Sequence, residues 1–306
     1  MRYIKFLVVL LIVAFPALTL ADATDIPGSS TWYLHADLDA MRNGVAGRGI
    51  YNWLDEEVFS EIHEEAGLDV GKEIRWVTAF SAPGEGPVVV LDGDISQETK
   101  DKVLALAAVD GDLDTFKSSG KTYYFFDGDE SRFEKEGIDI EIDSLEDQAY
   151  FSFAVKEKVL FTSTREQMES LLKNKGRVET DGEDKNALFV LRAERSLIQA
   201  GVNAEEMQED DDWDSNILRN TRKVAVLFAD LGDKLGIEAQ LLATEPEIAN
   251  SLASIVRGLI SLQALSGDMD PDVSMVLQST KVDVAGKTLK LSLALNPDTV
   301  VSALED

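Results

Sequence analysis

Apolar residues in this chain fall into two kinds of run. Short apolar segments at Trp32–Asp37, Arg75–Phe80, Pro87–Leu91, Phe189–Glu194, Lys223–Phe228, Leu235–Leu242 and Leu289–Leu295 predict strands. Elsewhere the period lengthens. Ile248, Leu252, Ile255, Val256 and Leu259 recur at helical spacing. Helix starts are marked by residues whose side-chain oxygens accept from free first-turn N–H groups: Ser96, Thr164, Thr244 and Asn296. Thr164 with Gln167, and Thr244 with Glu247, have capping-box spacing, and Pro246 and Pro297 suit a first turn.

These segments recur in the same order. Trp32–Asp37 matches Phe189–Glu194, Arg75–Phe80 matches Lys223–Phe228, and Ser96 matches Thr244. Gly120-Lys121-Thr122 matches Gly286-Lys287-Thr288, and Thr164 matches Asn296. The expectation is an α+β fold of two homologous halves, each a mainly antiparallel sheet packed with helices, after an N-terminal signal peptide. The boundaries read as signal peptide over 1–21, a first half over 22–175 and a second over 187–306. A linker over 176–186 joins the halves, and the first half carries an acidic insertion near 127–160. Within that insertion Ile138, Ile140 and Ile142 alternate with Asp139, Glu141 and Asp143, a strand with one wholly acidic face.

The stretch from Phe151 to Leu172 reads as strand, small turn, strand and Thr-capped helix. In this the chain loosely resembles exported bacterial α+β proteins of unknown function built from a repeated strand-helix-strand-strand unit. The resemblance implies no activity and transfers no functional residue.

Export changes the picture further. Arg2 and Lys5 precede an apolar run from Phe6 to Leu20 that Pro16 interrupts, and small residues offer cleavage after Ala21 or Ala23. No later stretch is long and apolar enough to span a bilayer; Ile248–Leu265 carries Arg257. With no cysteine, the chain folds on its core alone. Its 57 acidic residues against 29 Lys and Arg give a net charge of −28, which argues against nucleic acid and anionic membrane surfaces. The expected location is periplasmic or secreted.

Catalytic constellations are sparse. Gly-Lys-Thr lacks the upstream glycine of a phosphate loop, and strands rather than helices follow it. The two histidines, His35 and His63, form no metal motif. No G-x-S-x-G elbow is present. The weak metal candidates are acidic clusters. Asp110, Asp112 and Asp114 begin like a calcium loop, but Thr115 and Lys121 stand where glycine and glutamate belong. Asp210, Asp211, Asp212 and Asp214 are rich in oxygen ligands without matching a known loop. The expectation is therefore no cofactor beyond weak calcium. The function expected is non-enzymatic binding of an envelope protein or apolar ligand, between the halves or on a sheet face. The alternatives are a divalent-cation-binding acidic protein and a hydrolase with an unrecognised acidic site.

Overall fold

Among the described residues twelve strands hydrogen-bond into one antiparallel sheet. The structure is a computed structural model and describes residues 30–60, 62–63, 69–81, 85–128, 148–178, 187–195, 219–265 and 279–305. The strands are β1 (Trp32–Asp37), β2 (Ile74–Ser81), β3 (Val88–Gly93), β4 (Gly111–Ser118), β5 (Lys121–Gly128) and β6 (Gln148–Ser152). They continue with β7 (Lys158–Thr162), β8 (Ala187–Glu194), β9 (Thr221–Asp230), β10 (Leu235–Ala243), β11 (Lys281–Ala285) and β12 (Thr288–Leu295). The helices are α1 (Leu38–Asn43), α2 (Gly47–Leu54), α3 (Val70–Glu73), α4 (Gln97–Asp110), α5 (Arg165–Lys173), α6 (Pro246–Leu265) and α7 (Pro297–Glu305). A π-helical turn, Asp55–Phe59, prolongs α2. The α+β class is as expected. Among the described residues no helix is long and apolar enough to cross a membrane. The expected signal peptide, the strand expected at 138–143 and most of the expected linker lie outside the described residues.

The strand order is β11-β12-β10-β9-β8-β1-β2-β3-β7-β6-β5-β4. β1 and β8 meet at the centre, with Leu34 opposite Leu191, the two residues the sequence match equates. Outward from this seam the order is β1, β2, β3, β7, β6 on one side and β8, β9, β10, β12, β11 on the other. β1 and β8 join in one unbroken ladder, so main-chain hydrogen bonds fill the seam between the two stretches of chain. The strand order bears on the insertion expected near 127–160. β6 and β7, inside the stretch assigned to 127–160, stand where β11 and β12 stand, and the pair without a counterpart is the end hairpin β4–β5. The two Gly-Lys-Thr turns therefore do not occupy matching places. They look alike because each closes a tight hairpin with glycine at positive φ, +76° at Gly120 and +59° at Gly286, a region glycine enters without a Cβ clash.

Side chains alternate across the sheet, giving a Leu34 face and a Tyr33 face. On the Leu34 face Leu38, Met41 and Ile50 of α1 and α2, with Val300 of α7, pack against Ala36, Val77, Val159 and Ile237. α6 covers the same face farther out, with Leu252 and Ala253 against Leu289, Leu291 and Leu293. On the Tyr33 face α5 lays Met168, Leu171 and Leu172 over Val88, Val90, Tyr123 and Leu160. The capping box of Thr164 and Gln167 is formed. Asn296 caps α7, accepting from Asp298 N–H at 3.3 Å, and Ser96 accepts from Thr99 N–H at 3.0 Å.

Candidate functional site

Of the acidic residues proposed from sequence, Asp110, Asp112 and Asp114 occupy regular structure. Asp110 is the last residue of α4, and Asp112 and Asp114 belong to β4. Position 112 pairs with Asp127 and position 114 with Phe125, so the segment runs straight as an edge strand rather than curling as a loop. Asp210, Asp211, Asp212 and Asp214 lie outside the described residues. Among the described residues no group of three or more His, Asp or Glu side chains is gathered closely enough to hold a metal ion.

The histidines are held by ordinary partners. His35 Nδ1 lies 2.9 Å from Thr78 Oγ1 on the neighbouring strand. His63 borders a cleft of about 200 Å³ lined by Asp55, Phe59, Ser60, Asp69, Gly71 and Lys72. The π-helical turn builds one wall of this cleft, a feature no sequence period signals. Behind the cleft Tyr51 donates its hydroxyl to the Gly71 carbonyl at 2.6 Å, with Arg42 stacked 5.1 Å from its ring. A Cβ on Gly71 would meet Phe59 at 2.9 Å and the Tyr51 hydroxyl at 3.0 Å, so this close approach needs glycine. Burial pushes the Tyr51 hydroxyl above its ordinary pKa, and the Arg42 charge partly offsets it. The hydrogen bond from Lys72 holds the Asp69 carboxyl below its usual range. His63 shares that carboxylate at 3.6 Å, while the Ser60 hydroxyl donates to the Glu56 carbonyl instead of facing His63. The described residues of the cleft hold exposed ion pairs, and such pairs contribute little energy.

The aromatic run on β5 divides as its alternation requires. Tyr123 is fully buried on the Tyr33 face, stacked on Phe116 at 5.5 Å. Tyr124 stacks on Phe151 at 5.2 Å on the opposite face. Both pairs belong to packing within the sheet.

The surface that stands out is apolar and helical. The stripe recognised in the sequence of α6 divides in two. Leu252 and Ala253 are buried against β12, and Ile248 and Val256 are half-buried beside them. Ile255, Leu259 and Leu262 are 37%, 49% and 66% exposed. Helix geometry puts these three, spaced four and three residues apart, on one side. α4 holds the equivalent place after β3 and repeats the feature, with Leu106 37% and Val109 72% exposed. Of seven exposed large apolar side chains among the described residues, these two helices carry five. Scattered surface leucines are ordinary, but a gathered set marks an interaction surface.

No protein-family model matches the chain, and no curated protein is similar to it. Solved structures of TP0453 are similar in fold over nearly the whole chain. Crystal form III aligns with a TM-score of 0.48 and 11% identity, covering 94% of this chain and 98% of that one. Crystal form IV gives 0.47 and 13%, covering 93% and 96%.

Proposed function

We propose that this chain is an exported, non-enzymatic binding protein that holds a protein partner on the outward stripe of α6. The observation that carries this reading is the exposed run Ile255, Leu259 and Leu262, on a helix that buried Leu252 and Ala253 anchor to the sheet. A stripe fixed on a sheet is pre-organised, so binding to it pays little ordering entropy. The acidic excess of 57 over 29 residues favours a partner whose apolar contact is flanked by basic residues. An apolar small ligand on the same stripe is the other form of this reading.

We infer also that the sheet descends from one duplicated unit. The matched outward strand order from the β1–β8 seam, and the facing of Leu34 and Leu191, support it. Superposing β1, β2, β3, β6 and β7 on β8, β9, β10, β11 and β12 tests the inference; a failure to align strand for strand sinks it.

The binding reading is tested with the Leu259→Glu/Leu262→Glu double variant. Envelope extract passed over immobilised wild-type chain yields a partner that the folded variant does not retain. Equal recovery by both, or recovery by neither, rejects the stripe.

A further inference from the structure

The sheet ends on β11, which among the described residues pairs with β12 alone. Its main chain has a definite phase. Ala285 and Thr288 face each other across the two-residue turn Gly286-Lys287, and the pair that closes such a turn exchanges both main-chain hydrogen bonds. Hydrogen-bonded and non-hydrogen-bonded pairs then alternate along the ladder. Lys281 and Asp283 therefore bond inward to β12, and Val282 and Val284 turn their N–H and C=O groups outward. An edge of this kind is a template for another strand.

One side chain stands across it. Arg257 of α6 donates from Nη2 to the Val282 carbonyl at 2.5 Å. Arg257 is two residues from both Ile255 and Leu259, so it occupies the other flank of the helix from the exposed stripe, and the edge is independent of the binding reading above. Ser254 and Ser261, one turn to either side of Arg257, are short and donate to carbonyls of their own helix.

The side chains of β11 fit a second copy of the chain in one register. Val282 and Val284 pack against the apolar cluster under α6, while Lys281, Asp283 and Ala285 alternate with them and are exposed. A two-fold axis through the sheet keeps each face on its own side, so it passes a residue rather than a bond. An axis at Lys281 or at Asp283 sets like charges opposite each other, and an axis at Val284 leaves Asp283 opposite Ala285. An axis at Val282 faces that residue with itself as a hydrogen-bonded pair and sets Lys281 of each copy against Asp283 of the other. Those two charge pairs fall at the closer, non-hydrogen-bonded positions, where opposite charges attract.

We propose that β11 is a pairing edge for a second copy of this chain, centred on Val282, and that Arg257 holds it shut. A strand arriving at the edge must displace the guanidinium from the Val282 carbonyl, and a symmetric pair must do so twice. The net charge of −28 on each copy adds a general repulsion that the two Lys281–Asp283 pairs offset only at the seam itself.

Sedimentation equilibrium of the full chain at fixed salt tests this. Arg257→Ala forms a dimer at least about tenfold more tightly than wild type, the worth of one charge-assisted hydrogen bond. On that background Lys281→Asp and Asp283→Lys each weaken the dimer, although one makes the chain more acidic and the other less, and the two together restore it. Leu259→Glu/Leu262→Glu on the same background leaves the dimer unchanged. If Arg257→Ala does not fold, Arg257→Met, which keeps the apolar length and loses the donor, supplies the same comparison. The proposal is overturned if the folded Arg257 variant associates no more tightly than wild type. It is overturned equally if that association is indifferent to the charge reversals, or if it is lost in Leu259→Glu/Leu262→Glu, which would place the contact on the α6 stripe.

Discussion

α5 and α6 each follow a strand and lie on the sheet, yet they use their side chains in opposite ways. α5 spans Arg165–Lys173 and spends its apolar residues inward, with Met168 and Leu172 fully buried and Leu171 nearly so. Its polar residues reach other elements. Glu169 accepts from the Tyr123 hydroxyl at 2.9 Å, Gln167 Nε2 donates to the Gly86 carbonyl at 3.0 Å, and Lys121 Nζ donates to the Leu172 carbonyl. In α6 the polar residues bond mainly to their own helix: Ser251, Ser254 and Ser261 each donate to the carbonyl four residues back, at 2.8, 2.9 and 2.8 Å. Arg257 reaches across, to the Val282 carbonyl at 2.5 Å. Beyond Val256 the helix continues to Leu265, about 13 Å at 1.5 Å per residue. What decides burial is the length of sheet beneath a helix; where that support ends, the stripe becomes surface.

The largest effect expected from this contrast is at Met168. Replacing it by alanine leaves a cavity under α5 and costs about 2–5 kcal/mol in urea unfolding. Leu262→Ala stays within about 0.5 kcal/mol, because the side chain is 66% exposed. Similar losses at the two sites would erase the distinction. Next in size is the cap. Thr164→Ala removes the hydroxyl that accepts from Gln167 N–H at 3.3 Å and costs about 1 kcal/mol. A loss under a few tenths would mean that the packing of Met168, Leu171 and Leu172 holds α5 without its capping box.

A smaller effect is expected from acid. The hydrogen bond from Arg165, and then that from Tyr123, hold the Glu169 carboxyl below the ordinary glutamate value of 4.5. A depressed carboxylate stabilises the fold fully above its unfolded pKa and loses that contribution as pH falls through the folded one. The advantage of wild type over Glu169→Gln in melting temperature is therefore complete near neutrality and fades below about pH 4.5. At the alkaline end burial, and then Glu169, raises the Tyr123 hydroxyl above its ordinary value of 10. Its contribution is complete below that value and declines as pH rises beyond it. A pH-independent difference between wild type and Glu169→Gln would show that the Arg165–Glu169–Tyr123 link carries no weight.

Much of this contrast was legible in the residues. Thr164 with Gln167, Asn296 and Ser96 announced their helices through chemistry confined to one turn, and the strand runs followed from local period. Two matters were not local. Hairpin turns select glycine at positive φ wherever they occur, so Gly120 and Gly286 matched although their hairpins occupy different places in the sheet. The division of the α6 stripe depends on strands that arrive later in the chain, since Leu289, Leu291 and Leu293 decide that Leu252 is covered and Leu259 is not.

The smallest expected change in stability bears most on function. Ile255 and Leu259 lie within the periodic stripe that includes Leu252, and period alone assigns them to the core. If α6 docks more deeply in solution, Leu259→Ser costs as much as Leu252→Ala, about 2 kcal/mol or more. If the stripe is bare, Leu259→Ser stays within about 0.5 kcal/mol while partner retention falls, since a hydroxyl on the binding face must be desolvated without a hydrogen bond. Chemical unfolding and partner capture on the same variant separate the cases. Unchanged stability with unchanged capture would leave α6 as an overhang with no role in recognition, and would leave α4, with Leu106 and Val109, as the apolar surface to test.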